Sequence, residues 1–142
     1  MIFYMKNLPT TITLVLTLGC STYSADELNG KWAIEGEPFE LWILDTLAIG
    51  FDFEYQLMHL YKVDYDDKML TFTSIEPYRG STWEDKVITV IQDKMELELQ
   101  NPGNRKKRKY VKLTSELPVI SSDYETNFQQ YESYMINKMS IR

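Results

Sequence analysis

From residue 30 onward, apolar and polar side chains alternate with a period of two, and the alternation stops at regularly spaced turn signals. No other feature limits the fold as tightly, because such a pattern puts one face of every segment in a core and the other in water. The clearest segment is Met95-Glu96-Leu97-Glu98-Leu99-Gln100, followed by Asn101-Pro102-Gly103-Asn104. In that turn the proline presets φ and the glycine tolerates positive φ, so the next segment, 106–113, returns antiparallel. Upstream, Phe51, Phe53, Tyr55 and Leu57 share one face, and Leu57, His59, Tyr61, Val63 and Tyr65 continue the alternation. Asp66-Asp67-Lys68 then separates 61–65 from 69–75, and Glu76-Pro77-Tyr78-Arg79-Gly80-Ser81 leads to 86–91. With 31–35, 39–44 and 48–55 the count is eight short strands, the pattern of an antiparallel sandwich or barrel.

The period changes near the C-terminus. Tyr124, Phe128, Tyr131, Met135 and Met139 recur at helical spacing, after Pro118 and after a Ser122/Glu125 pair that fits a capping box. A helix is predicted over 123–138. Its plain role is to cover the barrel wall or an open end; its second role is to offer Tyr131 and Met135 to a partner.

Several function classes lose their chemistry to the residue inventory. The chain has one histidine and one cysteine, whereas common zinc sites and Ser-His or Cys-His nucleophile pairs need more. His59 reads as a barrel-wall residue. Asp64, Asp66, Asp67, Glu84 and Asp85 read as acidic turns on a soluble surface, although a glycosidase would need two such carboxylates close together. No catalytic residue, metal or cofactor is assigned. A net charge of −6 speaks against nucleic acid as a partner of the whole chain.

At the N-terminus, residues 1–19 carry one charged side chain, Lys6, and an apolar run of about 11 residues from Leu8 to Leu18. That is shorter than the roughly 20 residues of a spanning helix and has the form of a signal peptide. Leu16-Thr17-Leu18-Gly19-Cys20 resembles the lipobox of bacterial lipoproteins, with Thr17 and Leu18 interchanged relative to the family's preference. The resemblance implies lipid attachment at Cys20, which would also remove the odd thiol of an exported chain, and anchoring without spanning. Ser21 after the cysteine implies the outer membrane of a Gram-negative envelope, facing the periplasm. Removing residues 1–19 leaves a single domain of ordinary size with charge −7.

Leu28-Asn29-Gly30-Lys31-Trp32, the meander after it and the closing Tyr110-Val111-Lys112-Leu113 resemble the small lipocalin-like domains of bacterial lipoproteins. The fold class expected is therefore mainly β: an eight-stranded antiparallel lipocalin-like meander barrel with a C-terminal α-helix. The resemblance implies that Trp32 closes one end of the barrel beneath a basic side chain of the last strand, here Lys112 in place of the usual arginine. Residues 1–19 are then leader, 20–29 linker, 30–114 barrel and 115–142 a helical segment. Eight strands enclose either a filled core or one small ligand, and a chain with 13% aromatic residues has the bulk to fill it.

The strongest charge feature is Arg105-Lys106-Lys107-Arg108-Lys109 in this acidic domain. It reads as edge protection at a hairpin tip or as contact with anionic head groups. The function expected is a non-enzymatic, membrane-anchored binding module for a small apolar ligand or an envelope component. The alternative is an accessory or immunity lipoprotein that acts on a protein partner through its surface.

Overall fold

In a computed structural model that describes residues 23–141, eight strands follow one another around a closed antiparallel barrel. They are β1 (Gly30–Ile34), β2 (Phe39–Leu44), β3 (Leu47–Asp52), β4 (Leu57–Asp66), β5 (Met69–Glu76), β6 (Thr82–Ile91), β7 (Lys94–Leu99) and β8 (Lys107–Thr114). Each pairs with its neighbour in sequence, and β8 returns to β1 through Trp32 opposite Lys112 and Ile34 opposite Tyr110. Full closure leaves no unpaired sheet edge. The expected mainly β class, closed eight-stranded barrel and C-terminal helix are all present. Cys20 and residues 1–19, expected as a leader, lie outside the described residues.

A meander barrel has two different ends because its connections alternate between them. The tight hairpins β2–β3, β4–β5 and β6–β7 lie at one end, the floor. At β4–β5 both loop residues, Asp67 and Lys68, have positive φ, the conformation whose twist suits a two-residue hairpin. The longer connections after β1, β3, β5 and β7 lie at the other end, the mouth.

The floor is sealed by Trp32, which is 0% exposed. Its Nε1 donates to Leu28 O at 2.9 Å, and Lys112 Nζ lies 4.8 Å from its ring centroid. Gly30 is required here: φ is +151°, and a Cβ would stand 3.0 Å from Lys112 Cε and 3.3 Å from Trp32 Nε1. A side chain at residue 30 would push the lysine off the tryptophan. Above the floor, Leu41, Ile43, Leu70, Phe72, Met95, Leu97 and Tyr110 are all buried and fill the middle of the barrel.

A second apolar cluster lies outside the barrel. Trp42, Ile49, Phe51, Phe53, Met58 and Leu60 face outward from β2, β3, β4 and the β3–β4 turn, and α2 (Tyr124–Ser140) covers them. Tyr124, Phe128, Tyr131, Met135 and Met139 all contribute, as their helical spacing requires. Polar contacts fix the helix in place. Glu40, 4% exposed, accepts from Trp42 Nε1 at 3.0 Å and Tyr134 OH at 2.7 Å, and its other oxygen lies 3.3 Å from Lys138 Nζ. Asn127, 0% exposed, bonds the backbone of Ser121 and Asp123 and so pins the segment that leads into the helix.

Four local readings change. The segment expected as strand 86–91 begins earlier, at Thr82. The segment expected as strand 48–55 ends at Asp52, because a turn with Gln56 at φ +58° intervenes; Tyr55 is exposed and does not share a face with Phe51. The helix is capped by Asp123, whose side chain accepts from Thr126 N at 2.8 Å, instead of by Ser122. Residues 23–29, expected as linker, belong to the fold: α1 (Ala25–Leu28) is a single turn with Ser24 N donating to Glu27 at 2.9 Å, Leu28 is buried, and Tyr23 packs on the core. The apolar Tyr23 and Leu28 outweigh the polar residues between them.

Candidate functional site

The mouth differs chemically from the rest of the interior. Period two carries Trp83, Asp85 and Val87 of β6 to the inner face, and likewise Arg108, Tyr110 and Lys112 of β8. The result is an ion pair inside the barrel: Arg108 Nη2 donates to both oxygens of Asp85, at 2.9 and 2.8 Å. Trp83 Nε1 donates to the same carboxylate at 3.0 Å. The Asp85 side chain is 1% exposed and that of Arg108 19%. Burial opposes the arginine's charge, but Tyr110, Asp85 and Glu37 outweigh it and hold the proton more firmly than usual.

Aromatic rings surround the pair. Trp83 stacks on Phe72 with centroids 4.7 Å apart and meets Tyr61 edge-on at 4.6 Å. Phe39 approaches from β2 over Gly50. A Cβ at Gly50 would stand 2.9 Å from Phe39 Cζ and 3.1 Å from Tyr61 Cε2. The glycine lets both rings lie against the backbone of β3. Phe39, Tyr61, Trp83, Leu99 and Arg108 line a cleft of about 240 Å³ open to solvent. Burial, with help from Asp52, raises the Tyr61 hydroxyl well above its usual range, so it is a neutral wall group.

Among the described residues, two enclosed side-chain atoms at this end have no partner. Arg108 Nε and Ser74 Oγ are enclosed and make no hydrogen bond. Ser74 lies on β5 two residues beyond Phe72, on the same face. Among the described residues the side-chain hydrogen bonds of Arg108 run from Nη2 alone.

His59 sits at the rim, half-buried, its ring 5.7 Å from that of Tyr61 and 5.8 Å from that of Tyr78. Burial lowers its pKa, with Asp52 opposing. Asp85 is no surface turn residue, as its sequence neighbours suggested. Asp64, by contrast, lies exposed on the outer wall 3.5 Å from Lys62, and Asp66 and Asp67 are at a floor hairpin. Among the described residues no group of three or more His, Cys, Asp or Glu side chains could hold a metal ion.

The basic run does not form one patch. Lys106 bonds Glu37 at the rim, Lys107 lies 3.7 Å from Glu96 outside, Arg108 is inside, and Lys109 and Arg105 are exposed. Tyr131 and Met135 pack on the wall. Tyr131 meets Trp42 edge-on at 5.1 Å and donates to Val119 O, and Met135 is 5% exposed. Sequence reasoning missed Asp85, Trp83 and the inward place of Arg108. The signal was there, since Arg108 stands two residues before Tyr110 and four before Lys112.

Comparison of the chain with protein-family models, with curated proteins and with solved structures found no match.

Proposed function

We propose that this protein is a non-enzymatic binding module of the cell envelope, held by lipid at Cys20, and that the mouth of its barrel takes a small, flat apolar ligand. The observation that carries the reading is the aromatic cleft at one end of an otherwise filled barrel. Pockets that take drug-sized ligands run to roughly 300–1,000 Å³, so a cleft of about 240 Å³ suits a fragment of one or two rings. Long acyl chains find no room, because the middle of the barrel holds Phe72, Leu70, Leu97 and Tyr110. Action on a protein partner through Tyr131 and Met135 has less support, since the wall already uses both.

The indole N–H signals of a ¹⁵N-labelled protein test the binding site directly. Small aromatic compounds should shift the Trp83 signal and leave those of Trp32 and Trp42 in place. A Trp83 signal unmoved by a panel of such compounds would sink the reading. Attachment is tested separately: wild-type protein purified from membranes should carry lipid by mass spectrometry, and Cys20→Ala should move to the soluble fraction or stay unprocessed.

A further inference from the structure

We infer that the ligand of the mouth carries a neutral hydrogen-bond acceptor, such as a ketone or amide carbonyl on a flat ring, and that Arg108 supplies the donor. The inference rests on the mouth being a binding site and adds the class of ligand.

The charge at the bottom of the cleft is already balanced. Asp85 neutralises Arg108 at contact distance, and both of its carboxylate oxygens already accept, from Arg108 and from Trp83. What remains is donor capacity. A guanidinium has five N–H groups, and here only Nη2 donates. Nε is enclosed without a partner; Nη1 makes no hydrogen bond among the described residues and is not enclosed. Arg108 lines the cleft with Phe39, Tyr61, Trp83 and Leu99, so an acceptor on a ring held between those walls meets an unused N–H.

An anion is the wrong complement. It would compete with Asp85 for one guanidinium and would pass a rim where Glu37, Asp52 and Glu54 line an adjoining cleft with Lys106 as its one cation. Lys106 is already bonded to Glu37. A plain hydrocarbon leaves the donor dry and unpaired, which is unfavourable once the ring has expelled water. A neutral carbonyl meets the need without a charge conflict.

Three probes that share a ring separate these cases: acetophenone, benzoate and toluene. Titrated into the ¹⁵N-labelled protein, acetophenone should bind about ten-fold or more tightly than either of the others, as expected for a hydrogen bond to a charged group. It alone should shift the Arg108 guanidinium N–H signals downfield. In a double variant, Asp85→Asn with Arg108→Met, the advantage of acetophenone over toluene should vanish while both still move Trp83. Tightest binding by benzoate would overturn the inference in favour of an anion site. Equal binding of toluene and acetophenone to the wild type would overturn it too and leave the apolar cleft standing. Should none of the three move Trp83, the binding reading falls with it. If the double variant does not fold, the order of affinities in the wild type decides alone.

Discussion

The interior of the barrel and its helix-covered wall are both apolar, yet they are built differently. The interior draws side chains from all eight strands and is closed around Trp32, so no single element can leave it without opening the sheet. The wall is the outer face of three consecutive strands beneath one helix, fixed by Glu40, Tyr134 and Asn127. Where the helix lies, β2 and β3 are buried on both faces over four consecutive residues; β1 and β5 keep their alternation. The difference teaches that cooperativity here follows closure: the interior stands or falls as a unit, and the wall can loosen alone.

The largest effect should come from Trp32→Ala. Removing a buried tryptophan costs about 3–5 kcal/mol, a large part of the roughly 5–15 kcal/mol that holds a domain together. Hydrogen exchange should accelerate in every strand. A loss below about 1 kcal/mol in chemical denaturation would show that the floor does not carry the interior.

Met135→Ala should cost about 2–3 kcal/mol, at the lower end of the range for such truncations because the helix can settle toward the wall. The contrast lies in where exchange speeds up: amides of α2 should lose protection while those of β1 and β8 keep most of theirs. Uniform acceleration across the barrel would erase the proposed difference between the two regions. Tyr134→Phe removes one hydrogen bond to the Glu40 carboxylate, with an expected cost of about 1.5–3 kcal/mol for a bond to a charged group, and should again act on the helix first. An unchanged denaturation midpoint would mean that the bond to Glu40 does not hold the helix.

The smallest effect concerns the rim. His59 has a pKa below its ordinary 6.5 because burial disfavours the charged ring. The unfolded chain therefore binds the proton more readily. The contribution of His59 to stability is complete above about pH 6.5 and is lost as the pH falls through the lower, folded-state pKa. Comparing denaturation midpoints at about pH 7.5 and pH 5.5, wild type should lose more than His59→Phe. Equal losses would place the pH sensitivity elsewhere.

Much of this architecture was legible in the sequence because period two and turn chemistry are local. The strand count and the helical stripe followed from spacing, and the place of Trp32 from the resemblance of Gly30-Lys31-Trp32 to lipocalin-like domains. Elsewhere local rules were silent. Phe53 and Tyr55 continue an alternation that ends at Asp52, and the turn after them uses Gln56 at positive φ where a glycine or asparagine would have announced it. The mouth was harder. The expected strand began at residue 86, whereas β6 begins at Thr82 and so carries Asp85 on its inner face; β7 then lies between the strands of Asp85 and Arg108, with Asp85 opposite Leu99 and Arg108 opposite Leu97. Only the curvature of a closed barrel brings the two side chains together over that strand.

Tyr23 gives the barrel a direction. Its hydroxyl reaches Ile88 O at 3.4 Å and its carbonyl accepts from Tyr65 OH at 3.2 Å, beside the floor hairpins. The chain thus enters the domain at the sealed end. Strands of eight to ten residues, as in β4, β5 and β6, rise about 3.3 Å per residue. An attachment through Cys20 would join the domain at its sealed end, with the aromatic opening at the other end, about 25–30 Å along the strands. A ligand would then enter at the end opposite the attachment.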